Sequence, residues 1–309
     1  VYKRQIVLIT ILQKVISDRD TRLWFSGLII ISANAGGAWS PIGDVTTTML
    51  WIANKVTTIK LISFLLIPSV VCVVVPVFIA SSLPAFKGEI KSEENQEEEV
   101  MHKYGSIILY LGLGSIVFVP VFKTLTHLPP YVGMMFSLAI VSTFAEIFSA
   151  AKINITSLDA ESDAASYHSP VHKSLSKIEL PSILFFLGIL LAVAALESLG
   201  MLFSFAETLN TTIPNTDIVI LLLGIGSAVI DNVPLVAASI GMFSEGIDSP
   251  LWHFIAFSAG TGGSMLIIGS AAGVVAMGME KIDFFWYIKK ISWLALIGFL
   301  VGSLSFIVL

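Results

Sequence analysis

The sequence predicts an all-α polytopic membrane protein with inverted repeats, re-entrant hairpins and discontinuous transmembrane helices. Of its 309 residues, 55% are hydrophobic and only 13% are charged, so there is too little polar surface to cover a soluble domain. Several apolar runs reach the roughly 20 residues that cross a bilayer as a helix. Other apolar runs are interrupted by glycine, proline and carboxylate residues. Lipid-spanning segments tolerate such interruptions only where the freed backbone is buried in protein or lines a cavity.

Charge and cysteine content exclude several classes of protein. The net charge of -5 is modest and concentrated in one loop, so no nucleic-acid partner is expected. The single cysteine, Cys72, excludes an internal disulfide framework and a cysteine-rich metal site. The histidines fall mainly in predicted loops, which argues against a metal site built from them. We therefore expect the lipid bilayer as a partner and no cofactor.

Five continuous spans are predicted from run length, at 58–82, 105–123, 131–152, 181–204 and 285–309. Four further apolar segments are interrupted or short, and they cover 6–16, 24–51, 218–243 and 251–279. The predicted organisation has four parts. Residues 1–82 form the C-terminal part of a first inverted repeat, and residues 83–104 form a charged cytoplasmic loop. Residues 105–204 form connecting spans, and residues 205–309 form the hairpin, broken helix and last span of the second repeat.

Two of the interrupted segments share a glycine pattern. "ANAGGAWSPIGDVTT", which starts at Ala33, aligns with "AGTGGSMLIIGSAAG", which starts at Ala259. Four positions coincide, pairing Gly36, Gly37, Ile42 and Gly43 with Gly262, Gly263, Ile268 and Gly269. Glycine lets the backbone turn where a side chain would clash, so we expect these residues at the breaks.

The distribution of basic residues predicts that the two copies are inverted. If 83–104 is cytoplasmic, twelve Lys and Arg residues fall on the cytoplasmic side, and three, Lys55, Lys60 and Lys123, fall on the other. This satisfies the positive-inside rule. Inverted repeats with helices broken near the bilayer midplane are the architecture of secondary transporters.

Oxygen-bearing side chains are concentrated around the two interruptions. A sodium ion leaving water needs about six oxygen ligands, which hydroxyls, amide oxygens, free carbonyls and carboxylates can supply. The candidate Na+ ligands are Asn34, Asp44, Thr46 and Thr47 in the first copy and Ser227, Asp231, Asn232, Ser264 and Ser270 in the second. Two carboxylates in apolar context, Glu146 and Glu197, are candidates for a proton relay.

Each candidate has a structural alternative. Asp44 could serve as the N-cap of the helix "VTTTMLWIA". Asp231 and Asn232 could close a turn, although both flanking stretches are apolar. The hydroxyls of Ser264 and Ser270 could serve helix packing alone.

The stretch "NAGGAWSPIGDVTTTMLW" resembles the signature of NhaD-type sodium/proton antiporters, in the superfamily that also holds arsenite and dicarboxylate permeases. "GIGSAVIDNVPLVAA", "AGTGGSMLIIGSAAGV" and "LPSILFFLGILLAVAALESLG" are similar to the same family. The resemblance implies a homodimer in a bacterial inner membrane. It also implies that the family's first spans and first Asp-Asn motif precede this chain, so we expect an N-terminal truncation.

The predicted function is exchange of Na+ or Li+ for H+ by alternating access. The first alternative is an anion permease for dicarboxylate or arsenite, but Asp44 and Asp231 would repel an oxyanion. A more distant alternative is an intramembrane aspartyl protease, because "SPIGD" is similar to a GxGD motif. Pro41 occupies the place of that motif's first glycine, and no other enzyme motif is found, so no enzyme is expected.

Overall fold

The structure is a computed structural model that describes residues 15–87, 105–126, 128–156, 215–229 and 232–309, with scattered residues between 8 and 13 and between 184 and 213. Its described secondary structure is helical throughout. The chain divides into two compact units, one formed by Val1–Asn95 with Gly188–Leu309 and the other by Gln96–Leu187. The expected division into repeats and connecting spans stays a prediction.

Several described helices are long and apolar enough to cross a membrane. They are α3 (Thr58–Ser81), α4 (Gly105–Thr126) and α5 (Pro130–Thr156), matching the predicted spans 58–82, 105–123 and 131–152. Their outward side chains, such as Phe78 and Val117, are large and apolar, as a lipid-facing surface requires. The chain is an integral membrane protein.

The first broken helix consists of α1 (Arg19–Ala38) and α2 (Val45–Ile52). The intervening residues 39–44 are called the first break. Pro41 has no backbone N–H to donate, and a residue before proline avoids helical geometry, so α1 ends before Ser40. A break was predicted within 24–51, and the structure confirms it.

The second broken helix follows a helical hairpin. The hairpin helices are α6 (Thr216–Gly226) and α7 (Asn232–Met242), and the broken helix is α8 (Pro250–Gly262), a 3₁₀ turn (Gly263–Met265) and α9 (Ala271–Glu280). Residues 263–270 are called the second break. The predicted interruptions within 218–243 and 251–279 are both confirmed.

The matched glycines pack in the same way at the two breaks. A Cβ on Gly43 would overlap the carbonyl of Gly37, and a Cβ on its counterpart Gly269 would lie 2.8 Å from the carbonyl oxygen of Gly263. The two glycine pairs that the sequence alignment relates therefore make equivalent close backbone approaches. Gly36 differs from the prediction, because it lies inside α1 and a Cβ there would meet nothing within 4 Å. It is not needed for the turn.

The last predicted span, 285–309, is divided rather than continuous. Helix α10 (Phe284–Lys290) meets α11 (Ser292–Val308) at an angle of 50°. The aromatic and lysine residues of α10 give it the composition of an interfacial helix, whereas α11 is apolar throughout. Helix α11 packs on α3 through Gly302, where a Cβ would lie 3.0 Å from the carbonyl oxygen of Pro68.

The second unit is described by its helices α4 and α5. The hydroxyl of Ser137 donates to the carbonyl of Ser115 at 3.0 Å, and a Cβ on Gly133 would lie 2.9 Å from the ring of Phe122. Small residues thus allow close approach of the two helices. The predicted span 181–204 and the predicted segment 6–16 both lie partly outside the described residues.

Candidate functional site

The carboxylate of Asp44 lies at the N-terminus of α2 and accepts hydrogen bonds from α2 and from the hairpin helix α7. Its Oδ1 accepts from the backbone N–H of Val45 at 2.8 Å, and its Oδ2 accepts from the hydroxyl of Thr46 at 2.9 Å. Oδ2 also accepts from the side-chain amide of Asn232, the first residue of α7, at 3.0 Å. The first break therefore meets the hairpin of α6 and α7 at a carboxylate.

Asp44 also has the capping role that the sequence analysis kept as an alternative. It is the N-cap of α2 and forms a capping box with Thr47, whose hydroxyl contacts the Asp44 N–H at 3.4 Å. A cap uses one oxygen, here Oδ1, and leaves Oδ2 for Thr46 and Asn232. Capping alone does not account for the arrangement.

Threonine hydroxyls satisfy the free carbonyls of the first break. Thr47 Oγ1 donates to the carbonyl of Ser40 at 2.8 Å, and Thr48 Oγ1 donates to the carbonyl of Pro41 at 2.8 Å. Thr47 is fully buried, and these hydrogen bonds satisfy backbone carbonyls that have no partner within a helix. The structure thus gives Thr47 and Thr48 a role in holding the break, whereas Thr46 faces the carboxylate.

A second polar contact joins the two broken helices directly. The side-chain amide of Asn34 in α1 donates to the hydroxyl of Ser270 at 3.0 Å, and both residues are buried. Ser270 is the N-cap of α9, and its hydroxyl accepts from the N–H of Gly273 at 3.2 Å. In the repeat alignment Ser270 is the counterpart of Asp44, and the structure gives both the same position at the start of a half-helix.

The two broken helices lie side by side where they carry these groups. A Cβ on Gly260 of α8 would lie 3.4 Å from the Cβ of Ala38 and 3.8 Å from Oγ1 of Thr46. Gly260 thus marks where α8 lies against α1 and α2, and a Cβ there would make ordinary van der Waals contacts. The sequence analysis did not single it out, although the alignment places it opposite Asn34.

Two further predicted ligands, Ser227 and Ser264, donate to backbone carbonyls, and their role as ligands stays a prediction. Ser227 donates to the carbonyls of Gly224 at 2.7 Å and Ala259 at 3.2 Å. Ser264 donates to the carbonyl of Thr261 at 2.5 Å. Both are buried and join or cap helix ends, which is the packing role kept as an alternative for Ser264.

The remaining predicted residues lie outside the described residues or in the other unit. Asp231 and Glu197 lie outside the described residues. Glu146 is half-buried on α5 in the other unit. Their predicted roles stay predictions. Among the residues that the structure describes, no group of three or more His, Cys, Asp and Glu side chains could hold a metal ion.

The oxygens around Asp44 can bind a small cation or a proton. Oδ2 of Asp44 lies within hydrogen-bonding distance of both the Thr46 hydroxyl and the Asn232 amide, and Thr46 and Asn232 are buried. An amide carries an acceptor oxygen beside its donor nitrogen, so rotation of the Asn232 side chain would present oxygen to a cation. A carboxylate in such surroundings binds either a cation or a proton, because each neutralises the same charge.

Two broken helices that lie side by side at their breaks, one of which carries a carboxylate, are typical of the helical secondary transporters. The chain belongs to the citrate transporter family (CitMHS), whose model matches residues 6–252. This family assignment does not support the protease alternative.

Individual relatives are named for cation exchange. The chain is 43% identical to "Sodium/proton antiporter 1" of Arabidopsis thaliana over 98% of its own length and 51% of that protein's. It is 39% identical to "Sodium/proton antiporter 2" of the same plant over 98% of its length and 71% of that protein's. It is 32% identical to "Na(+)/H(+) antiporter NhaD" of Vibrio cholerae over 89% and 59%. The chain spans about half the length of the first of these relatives. No solved structure matches the chain.

Proposed function

We propose that the protein containing this chain exchanges Na+ for H+ across a membrane. The observation that carries the proposal is the Asp44 carboxylate, which lies at the first break and accepts from the second repeat through Asn232 at 3.0 Å. A carboxylate contacted by both repeats can respond to a rearrangement of either. The names of the plant and bacterial relatives support the same assignment.

The mechanism is competition for one carboxylate. When Asp44 binds Na+, Thr46 and the rotated Asn232 amide supply further oxygens, and free carbonyls or water complete the shell. When Asp44 binds a proton, it loses the charge that holds the ion. Alternating access then carries Na+ in one direction and H+ in the other, and neither step needs a cofactor.

An anion permease is the second candidate, because the family is described by citrate transport. Helices α2 and α9 both begin at the breaks, and the N-terminus of a helix attracts anions. Asp44 opposes this attraction at one of the two, since like charges ~4 Å apart repel by about 4 kcal/mol at an effective dielectric constant near 20. The carboxylate therefore favours a cation as the primary cargo.

Further features of the function are proposals of the same kind. Li+ should replace Na+, because the oxygens around Asp44 coordinate both alkali ions. The homodimer and the bacterial inner membrane stay predictions from the family resemblance; relatives from both plants and bacteria match the chain.

The test is Asp44→Asn in the intact protein reconstituted in vesicles. Asparagine caps a helix as well as aspartate does, so α2 is kept while the charge and the exchangeable proton are lost. We expect Na+-driven proton movement to fall at least ~100-fold. The matched control is Asp217→Asn, which alters an exposed carboxylate in the first turn of α6. Normal flux in Asp44→Asn would reduce Asp44 to a helix cap.

A further inference from the structure

An ion pair joins the two broken helices far from their breaks. Arg22, in the first turn of α1, places Nε 3.2 Å from Oε2 of Glu280, the last residue of α9. The Glu280 side chain is only 2% exposed. The guanidinium also donates from Nη1 to the carbonyls of Ile16 at 3.1 Å and Ser17 at 3.2 Å. Arg22 therefore fixes three segments to one another: the chain before α1, α1 itself and the end of α9.

The position of Glu280 is electrostatically unfavourable without Arg22. A carboxylate at a helix C-terminus faces the negative end of the helix dipole, and burial removes its solvation. Its second oxygen, Oε1, is buried with no hydrogen-bond partner in the described part of the chain. Apolar side chains usually fill such a site at less cost. The pair is therefore better explained by the relative position of α1 and α9 that it fixes than by a contribution to the stability of the fold.

The pair and the contact between Asn34 and Ser270 join the same two helices. Asn34 lies twelve residues beyond Arg22 on α1, and Ser270 lies ten residues before Glu280 at the start of α9. At ~1.5 Å per residue, these separations are about 18 and 15 Å, so the two contacts join the helices at matching heights. A shift of α9 along α1 that separates Arg22 from Glu280 also separates Asn34 from Ser270.

The second repeat has an equivalent link at the opposite end. The carboxylate of Asp248, two residues before α8, accepts from the N–H and the hydroxyl of Thr57 at 2.7 and 2.8 Å. Its backbone N–H donates to the carbonyl of Lys55 at 2.8 Å, just beyond α2. In both repeats, therefore, a charged residue near the start of one broken helix holds the chain at or just past the end of the other.

We propose that Arg22 and Glu280 are positioning residues, which set the register of α1 against α9 and so the contact between Asn34 and Ser270, two of the Na+ ligands predicted from the sequence. The proposal rests on the proposed function for its transport readout. Under this proposal Arg22 and Glu280 affect the affinity for the ion without contacting the ion.

The transport experiment uses single and paired variants of the intact protein in vesicles. Glu280→Gln and Arg22→Gln should each raise the Na+ concentration for half-maximal proton flux about 10-fold, with maximal flux changed less than 3-fold. The exchanged pair Arg22→Glu with Glu280→Arg should recover to within about 3-fold of the original value. Arg19→Gln, which alters an exposed arginine in the same turn of α1, is the control and should have no effect.

An apolar double variant separates positioning from folding. Arg22→Met with Glu280→Leu should keep the melting temperature, because apolar replacement of a buried pair preserves stability, but should still raise the half-maximal Na+ concentration. Normal half-maximal Na+ in this variant, or in both single variants, would overturn the proposal, as would failure of the exchanged pair to recover.

A distance measurement makes the outcome independent of transport. Spin labels at Gly36→Cys on α1 and Val274→Cys on α9, both exposed positions, report the register of the helices in a Cys72→Ala background. Glu280→Gln should broaden or shift the distance distribution, and Arg19→Gln should not. An unchanged distribution refutes the positioning role. A changed distribution in a protein without Na+-driven flux refutes only the proposed function.

Discussion

Asn232 Nδ2 donates to Asp44 Oδ2 at 3.0 Å, although the two residues are 188 positions apart in the sequence. This bond connects the second-repeat hairpin to the first break, and the same oxygen accepts from Thr46. A cation that binds Asp44 must break both of these hydrogen bonds. The Thr46 and Asn232 side chains must then turn so that their oxygens face the cation. The free energy of that exchange determines the apparent affinity for Na+.

Removing the Thr46 hydroxyl should weaken Na+ binding without removing the charge. Thr46→Val keeps the shape of this buried side chain but removes one oxygen ligand and one donor to Asp44. We expect the half-maximal Na+ concentration to rise ~10-fold, equivalent to about 1.4 kcal/mol. The measurement is Na+-driven proton flux in vesicles. Thr143→Val on the exposed face of α5 is the control, and an equal effect in both variants would contradict a ligand role for Thr46.

The glycine pairs at the two breaks should be equally intolerant of a side chain. Gly43→Ala would force Cβ against the carbonyl of Gly37, and Gly269→Ala would force Cβ against the backbone of Ala228 and Gly263. Both should lower the melting temperature of the purified protein by several degrees and abolish flux. Gly36→Ala, where a Cβ meets nothing within 4 Å, should leave both unchanged. Tolerance at only one break would argue against equivalent breaks.

The N-cap of α1 should contribute stability that depends on pH. Hydrogen bonds from Thr21 hold the pKa of Asp18 below its ordinary value. A carboxyl with a lowered pKa in the folded state stabilises the fold above its unfolded pKa, and that contribution is lost as pH falls through the folded pKa. Asp18→Ala should therefore lower the melting temperature at neutral pH and have less effect in acid.

The measurement is a series of thermal melts of the purified protein from pH 7 down to the acid limit of its solubility. Glu245→Gln, which alters an exposed carboxylate, is the control. A constant difference in melting temperature between Asp18→Ala and the original protein at every pH would contradict the charged cap.

The breaks and their symmetry could be predicted because they depend on local signals. Glycine spacing and Pro41 indicated where α1 ends. The glycines that align in sequence, Gly37 with Gly263 and Gly43 with Gly269, also make similar close backbone contacts in the structure. The division of the last span after Lys290 could not be predicted, because no glycine or proline marks it. Run length alone does not distinguish an interfacial helix from the start of a span.

The partners of each polar side chain could be predicted only in part. The residue types identified Asp44 and Asn34 as candidate ligands, but their contacts with Asn232 and Ser270 depend on how the repeats pack. Serine is the least specific of these signals, since a buried hydroxyl can bond to a carbonyl a few residues earlier, as Ser264 does to Thr261. Arg22 and Glu280 carried no local signal, because the two residues are 258 positions apart.

The central claim is that Na+ and H+ compete for the Asp44 carboxylate. The most direct measurement is proton movement in vesicles containing the intact protein, followed with a pH-sensitive dye during Na+ titrations at several pH values. The half-maximal Na+ concentration should rise about 10-fold per unit fall in pH below the point at which the carboxylate protonates, and Asp44→Asn should remove the signal. Citrate, a dicarboxylate and arsenite serve as the anion controls. Proton movement that is insensitive to Na+, together with uptake of any of these anions, would contradict the account.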